Sequence, residues 1–428
     1  MTELKGRQWI SDQNNHNING ETTKVPAMIN GICQRCNTKA VSKLPDGRRY
    51  CQECIGLGRI TEGDELERNV ENVNYPKVLM PLSWSGTLTE QQELISKELV
   101  NSFKDRRNHL IHAVTGAGKT EMLFKVVEEV LKGGFRIAIA TPRIDVVDEL
   151  FPRFQAAFEK VEIGKYHGRE HHHGREHHEI SDEQFVICTT HQLLKFYHAF
   201  DLIVIDEVDS FPFYENKMLH FAAENAVKEA GCTFFLTATP DSKLLRQAKN
   251  KTINYSLLKR RFHQGLLPVP KEKYFFKSFI SNKGKVHPVL IKQIKQILDM
   301  KKPLLIFVPR IKELPAYEEY ISSIFKASKI ISVYAGDKDR QAKVASFRKR
   351  EIDILLTTTI LERGVTFKHV QVIVLAADDP IYNTPSLVQI AGRVGRSADD
   401  RDGLVLFCYH KYTKSIREAM RQIRMMNR

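Results

Sequence analysis

His112-Ala-Val-Thr-Gly-Ala-Gly-Lys-Thr-Glu121 joins the apolar run 109–114, short enough for a buried strand, to the stretch 122–127, whose apolar spacing suits a helix. Strand, glycine-rich turn and helix is the setting in which backbone N–H groups converge on a polyphosphate at a helix N-terminus. The N–H groups of Thr115, Gly116, Ala117, Gly118, Lys119 and Thr120 would line that concavity. Lys119 would reach the β- and γ-phosphates, and the Thr120 hydroxyl would ligate Mg²⁺. The pattern G-x-x-x-x-G-K-[ST] begins with glycine, whereas Ala113 stands there in this chain.

Past this loop, strand and helix patterns alternate as they do in a parallel sheet. The strand 136–140 is followed by Thr141-Pro142-Arg143 at its carboxyl end, where open α/β sheets bind ligands. A helix is expected over 144–158, and 185–188 followed by Thr189 to Leu194 repeats the strand-to-helix step. The strand 201–205 delivers Asp206-Glu207-Val208-Asp209 to the same edge. Asp206 there would hold the Mg²⁺ coordination sphere, and Glu207 would orient and deprotonate an attacking water. A further strand, 232–236, ends in Thr237-Ala238-Thr239, whose hydroxyls could bridge the phosphate site to a nucleic-acid groove. Upstream, Thr89 and Gln92 form a capping box for a helix that runs through Leu99; Gln92 is equally read as a contact to the edge of adenine.

A basic linker is expected over 263–285, stiffened by Pro268 and Pro270. Beyond it five strands, 304–308, 330–334, 353–356, 372–375 and 404–407, alternate with helices and predict a second doubly wound domain. Its loops carry Thr358 to Gly364 and, in a helix beginning near Thr384, Gln389 to Arg396. Arg393 and Arg396, three residues apart on one helical face, could fork onto a γ-phosphate and neutralise charge in its transfer.

Cys33-x-x-Cys36 and Cys51-x-x-Cys54 are separated by fourteen residues, a spacing that offers four thiolates to one Zn²⁺. Such a knuckle is either purely structural or, with Arg35, Lys39, Lys43, Arg48, Arg49 and Tyr50, a nucleic-acid or partner face. The Asn-rich segment 1–28 reads as a disordered arm and 61–84 as a linker. Six of sixteen histidines crowd into 167–178, which reads as an exposed polar loop rather than a metal site. The tail from Lys411 to Arg428 reads as a basic helix, solvated or in contact with nucleic acid or membrane.

The chain has 428 residues, room for two or three domains, and Lys+Arg 65 against Asp+Glu 51 gives +14. That balance favours a polyanionic partner, nucleic acid first and an anionic membrane surface second. Neither a signal peptide nor a membrane-spanning apolar run is evident, so a cytoplasmic protein with reduced cysteines is expected.

Taken in order, Ala113 to Thr120, Thr141 to Arg143, Asp206 to Asp209, Thr237 to Thr239, Thr358 with Gly364, and Gln389 to Arg396 resemble the motif set of superfamily 2 helicases, which use the form A-x-T-G-x-G-K-T. The resemblance covers about residues 85 to 428, and with the N-terminal four-Cys knuckle it is to the ComFA family of late competence DNA translocases. It implies an α/β fold with two RecA-like doubly wound parallel-sheet domains in tandem, 85–262 and 286–428, plus a zinc module at 29–60. It also implies a DNA-dependent ATPase that uses ATP, Mg²⁺ and Zn²⁺ and drives uptake of single-stranded transforming DNA. The resemblance places Gln92, Thr115 to Thr120 and Gly364 at ATP, with Lys119, Asp206, Glu207, Gln389, Arg393 and Arg396 in catalysis. Thr141, Pro142, Arg143, Thr190, Arg310 and Thr358 would contact DNA. Implied partners are the phosphoribosyltransferase-like ComFC and the DNA-uptake channel, with a peripheral place at the inner face of the cell membrane. Competing readings are a PriA-like replication-restart helicase, whose zinc segment interrupts the second lobe, an RNA-directed ATPase, and a nucleotide-switched scaffold.

Overall fold

A computed structural model describes residues 5–11, 21–70, 75–168, 182–281, 284–396 and 403–428. The chain divides into two compact units, Met1–His112 with Lys119–Leu257, and Ala113–Gly118 with Leu258–Arg428. The break near 257 falls short of the expected boundary at 262.

The first unit opens with β1 (Gln8–Ile10), β2 (Thr22–Pro26), the hairpin of β3 (Met28–Ile29) and β4 (Ile32–Cys33), the hairpin of β5 (Ser42–Lys43) and β6 (Arg49–Tyr50), and β7 (Glu65–Asn69). β7 lies between β1 and β2 and is antiparallel to both. The segments expected to be a disordered arm and a linker therefore supply three strands; 12–20 and 71–74 lie outside the described residues. Burial explains the difference, because Ile10 and Leu66 join the core around Phe196 and Phe200. The Arg7 guanidinium, 4.0 Å from the Phe196 ring centroid, fixes the same end.

Then come α1 (Glu90–Lys104), β8 (His109–Ala113), α2 (Lys119–Met122), α3 (Phe124–Lys132), β9 (Ile137–Thr141), α4 (Ile144–Ala157), β10 (Ile163–Tyr166), β11 (Phe185–Thr189), β12 (Phe200–Asp206), α5 (Lys217–Ala226), β13 (Val227–Thr237), α6 (Ser242–Lys249) and β14 (Asn254–Leu258). The expected helix after Thr189 is a 3-10 turn, Thr190–Lys195. The sheet order is β10-β11-β9-β12-β13-β8-β14. β9, β11 and β12 are buried along almost their whole length, as strands covered on both faces must be. The crossing from β8 to β9 skips two positions, which β12 and β13 fill, so the phosphate loop and the acidic tetrad end two strands apart. At the usual strand spacing that is about 10 Å. Of the His-rich loop, 169–181 lie outside the described residues.

The second unit carries β15 (Lys271–Tyr274), α7 (Pro288–Asp299), β16 (Leu304–Phe307), α8 (Leu314–Ile324), β17 (Ile330–Val333), α9 (Arg340–Arg348), β18 (Ile354–Thr357), β19 (Gln371–Val374), α10 (Thr384–Ala391), β20 (Val405–Tyr409) and α11 (Lys414–Met426). Its six strands are parallel, in the order β15-β20-β19-β16-β18-β17. The expected linker 263–285 thus contributes an edge strand. Both units are α/β with parallel central sheets, as the sequence predicts.

Inside the first unit His109 is buried, with Nδ1 2.8 Å from the Ser102 hydroxyl and Nε2 2.8 Å from that of Ser256. Burial pushes its pKa down to about 4 from 6.5. The folded ring stays neutral where the unfolded one gains a proton, so stability falls as pH is lowered from 6.5 towards 4. His109→Gln keeps an amide for the two hydroxyls and removes one titration; its thermal midpoint should fall less steeply than that of the wild type across this window. Equal slopes in a pH series of melting curves would refute the assignment.

Candidate nucleotide and nucleic-acid site

β8 ends in the glycine-rich turn, where Gly116 and Gly118 hold φ of 76° and 72°, values that favour residues without a Cβ. The helical stretch after it is broken at Leu123 into α2 and α3, where the sequence predicts one run. Thr115, Ala117 and Thr120 are buried, while Gly116, Gly118 and Lys119 keep partial exposure, so the open side of the turn is backbone and amine.

Asp206, the last residue of β12, lies within electrostatic reach of Lys119. Enclosure pushes the Asp206 carboxyl up to about 6, the Lys119 charge pulls it back, and the neighbouring Glu207 charge raises it again. A bound cation here would keep the carboxylate ionised, which is the behaviour of a metal ligand awaiting its ion. Asp206 Oδ1 also accepts the Glu207 N–H at 2.9 Å. Glu207 itself sits at φ 58°, in the left-handed region. Asp209, buried, accepts from the Thr237 hydroxyl at 2.7 Å and the Thr239 hydroxyl at 2.5 Å. β13, which ends at Thr237, lies between β8 and β12, so one carboxylate ties the acidic tetrad to the threonine turn. His112 adds a second tie, its Nε2 3.2 Å from the Ala238 carbonyl. Burial holds the His112 pKa down to about 4, so the ring is neutral.

Gln92 completes the capping box: its side-chain carbonyl accepts the Thr89 N–H at 2.9 Å, and the Thr89 hydroxyl accepts the Gln92 N–H at 3.4 Å. Thr141 and Thr190 are wholly enclosed, each 0% exposed, and Thr358 is nearly so. Side chains so enclosed do not face an open groove. Arg143 caps α4 and donates to Asp145 at 2.9 Å. Arg310 is the exposed member of the expected DNA set and donates to Asp379 at 2.9 Å.

In the second unit α10 ends at Ala391 with Gly392 as its cap, so Arg393 and Arg396 lie beyond the helix and share no helical face. Arg393 is buried and donates through Nε to the Glu362 carbonyl at 2.9 Å and through a terminal nitrogen to the Val365 carbonyl, holding the loop that contains Gly364. Arg396 is the more accessible of the two and donates to the Gly392 carbonyl at 3.0 Å and the Thr366 hydroxyl at 3.2 Å. Gln389 is buried within α10.

Sequence reasoning missed Arg261. Its side chain, 1% exposed, donates to the carbonyls of Gly392 at 3.1 Å, Val394 at 2.7 Å and Gly395. Burial, with the Arg396 charge adding to it, pushes its pKa down to about 9. The phosphate-loop residues that group with this unit meet the same segment. The Val114 N–H donates to the Leu258 carbonyl at 3.1 Å, the Phe262 N–H to the Gly116 carbonyl at 3.2 Å, and the Thr115 hydroxyl lies 3.5 Å from the Gly392 carbonyl. A Cβ at 392 would collide with the Thr115 side chain. The basic triplet Lys259-Arg260-Arg261 gives no sign of this in sequence.

The four knuckle cysteines are free and buried, and their sulfurs all lie within 4.8 Å of one another. Cys33 and Cys54 sulfurs are 3.8 Å apart and those of Cys36 and Cys51 3.4 Å, too far for disulfides and near the roughly 3.8 Å edge of a tetrahedron with 2.3 Å zinc–sulfur bonds. Arg35, also buried, donates to Cys54 Sγ at 3.4 Å and to the carbonyls of Cys54, Leu57 and Gly58. A guanidinium so placed would offset part of the charge of a metal tetrathiolate.

No helix among the described residues is long and apolar enough to cross a membrane. Residues 85–242 match the family described as "Type III restriction enzyme, res subunit", and 289–398 match "Helicase conserved C-terminal domain". The chain is 40% identical over 417 residues to Competence protein ComFA of Streptococcus pneumoniae (strain ATCC BAA-255 / R6), covering 95% of this chain and 93% of the relative. It is 38% identical over 391 residues to Competence protein ComFA of Bacillus subtilis (strain 168), covering 88% and 80%. Among solved structures, S. cerevisiae Dbp5 bound to RNA and ADP BeF3 superposes with a TM-score of 0.58 at 15% identity, over 79% of this chain and 88% of that one, a likeness of fold. Two helicase domains behind a four-cysteine cluster, matched along nearly the whole length of these relatives, mean that this chain belongs to the ComFA family of competence proteins, DNA-dependent ATPases of the superfamily 2 helicase type.

Proposed function

We propose that the chain is an ATP-driven translocase on single-stranded DNA that draws transforming DNA inward during natural competence. The observation that carries this reading is the first unit's edge, where Asp206 sits within reach of Lys119 and Asp209 holds both hydroxyls of the threonine turn. The backbone of Thr115 to Thr120 cradles the phosphates and Lys119 neutralises them. Thr120 and Asp206 hold Mg²⁺, which when bound supplies charge for the phosphates. Glu207 orients the attacking water and takes its proton. Arg396, the more accessible arginine of the second unit's pair, is the one suited to meet a phosphate, and Arg393 positions the loop around Gly364. Gln92, whose carbonyl caps α1, reads the edge of adenine.

Loss of the γ-phosphate changes the charge facing Asp206 and Glu207. Asp209, three residues on, transmits that change to Thr237 and Thr239 rather than leaving it local. For DNA, Arg143 is the accessible member of the expected set in the first unit and Arg310 in the second. The four cysteines hold one Zn²⁺, which stiffens a module otherwise made of two-residue strands. ComFC and the uptake channel at the inner membrane face are the partners that fit such a role.

Lys119→Ala should lower single-strand-stimulated ATPase by roughly 10²- to 10³-fold while leaving oligonucleotide binding largely intact; a fully active variant would overturn the site. Thr239→Ala should keep most of its ATPase and lose displacement of a protein roadblock from single-stranded DNA, and a nucleotide-switched scaffold would displace nothing even as wild type. Metal analysis should find about one zinc per chain, and Cys51→Ser should lower both the zinc content and the melting temperature. A metal-free chain of unchanged stability would dismiss the zinc assignment. ATPase stimulated better by RNA than by DNA of equal length would favour the RNA-directed reading.

A further inference from the structure

The second unit ends in α11, whose buried face is Ile416, Ala419, Met420, Ile423 and Met426. Its solvent side carries Arg417, Arg421 and Arg424, all exposed, and the exposed Arg428 follows two residues past the helix end. The spacing of four and three residues stacks Arg417, Arg421 and Arg424 in one stripe along the helix. Among the described residues only Arg421 has a carboxylate partner, Glu418 at 2.8 Å. Three planar cations in a row, two of them without a carboxylate partner among the described residues, form a track for phosphates spaced along a chain.

Beside the stripe lies a strip of three tyrosines. Tyr274 ends the edge strand β15 and Tyr409 ends its neighbour β20; the two are register partners with ring centroids 6.2 Å apart. Tyr412 follows, 5.6 Å from Tyr409. Tyr274 is 56% exposed and Tyr412 48%, high values for rings that already touch one another. The Tyr412 hydroxyl lies within electrostatic reach of both Glu272 and Arg424, so strip and stripe adjoin.

The strip sits where β15 and β20 reach the carboxyl edge of the sheet, the edge from which Arg310 and the Thr358 loop emerge on β16 and β18. It is fixed there by Asp378, which accepts the N–H groups of His410 and Lys411 at 3.2 and 3.1 Å. The next residue, Asp379, holds Arg310. The Arg310 loop and the tyrosines are therefore built onto one short acidic turn after β19.

We propose that the Tyr274, Tyr409 and Tyr412 strip, together with the arginine stripe of α11, is a second single-stranded DNA surface that extends the strand's path outward from Arg310 across β20 and β15. This rests on the single-strand reading above and adds a place and a chemistry to it. Exposed rings gain from unpaired bases, which can stack on them, and a duplex offers no such faces. The arginines carry the phosphates between the stacked bases. The acids on this face are mostly engaged: Glu418 pairs with Arg421, Asp378 accepts the His410 and Lys411 N–H groups, Asp379 holds Arg310, and Glu272 lies beside Tyr412. A membrane surface would also attract the stripe, but it makes no use of rings tied to the Arg310 turn.

The test uses the full chain and fluorescent oligo(dT) of about 8 and about 20 nucleotides, lengths on either side of one binding unit. The wild type should bind the longer strand more tightly by more than the added length alone allows. Tyr274→Ala with Tyr412→Ala should weaken the long strand roughly tenfold, the value of one lost stacked base, and leave the short strand unchanged. Tyr412→Phe, which keeps the ring, should restore its share. Arg417→Gln with Arg424→Gln should flatten the salt dependence of long-strand binding by about 1.4 in log–log slope. Equal effects on both lengths, or none on either, would overturn the surface while leaving the motor reading intact. The same result follows if the arginine pair loses sedimentation with phosphatidylglycerol vesicles but keeps its long-strand affinity and salt slope. A wild type that binds neither strand would sink the motor reading and this surface together.

Discussion

One buried carboxylate, Asp209, holds the working edge of the first unit together. The strand that leads into the glycine-rich turn and the strand that presents the acids are not neighbours; β13 runs between them. Without a link across it, events at Asp206 and Glu207 would stop at the end of β12. Asp209 supplies that link by accepting from two hydroxyls of the turn that closes β13. A buried acid with two donors is well satisfied and therefore rigid. His112 reinforces the same turn from the other side, and its neutral ring avoids adding a cation beside Lys119.

The second unit solves a related problem with a buried cation. Gly392 to Gly395 leave a helix end, and their carbonyls need donors. Arg261 provides them from a segment more than 130 residues earlier in the chain, and Arg393 does the same for the loop around Gly364. Two arginines are thus spent on backbone geometry, which leaves Arg396 with the better access to a ligand. Arg35 plays the same part in the cysteine module, where it serves three carbonyls and a sulfur at once.

The strands at 137–141, 200–206 and 304–307 were legible because doubly covered strands must be apolar throughout, and the acids and threonines at their carboxyl ends stood out by contrast. The phosphate loop was legible for the same local reason. What escaped was long-range. Gln8–Ile10 and Glu65–Asn69 are too short to show a period, and it is pairing within the β1-β7-β2 sheet that makes them strands. Arg261 reads as one of three solvated charges until the carbonyls it serves are known. Arg393 and Arg396 were placed on one helical face because the pattern holds to Ala391, but the chain leaves the helix at Gly392. Thr141 and Thr190 sit at the right ends of the right strands, yet their burial depends on what packs over them.

Glu207 is held in a left-handed backbone conformation, which for a residue with a Cβ costs on the order of 1 kcal/mol. The fold tolerates that strain at the one position where a carboxylate has to stand beside Asp206. Glycine at 207 would relax the backbone and discard the acid in a single step. If Glu207 has the role proposed for it, robustness and turnover pull this position in opposite directions, and the strained acid stands on the side of turnover.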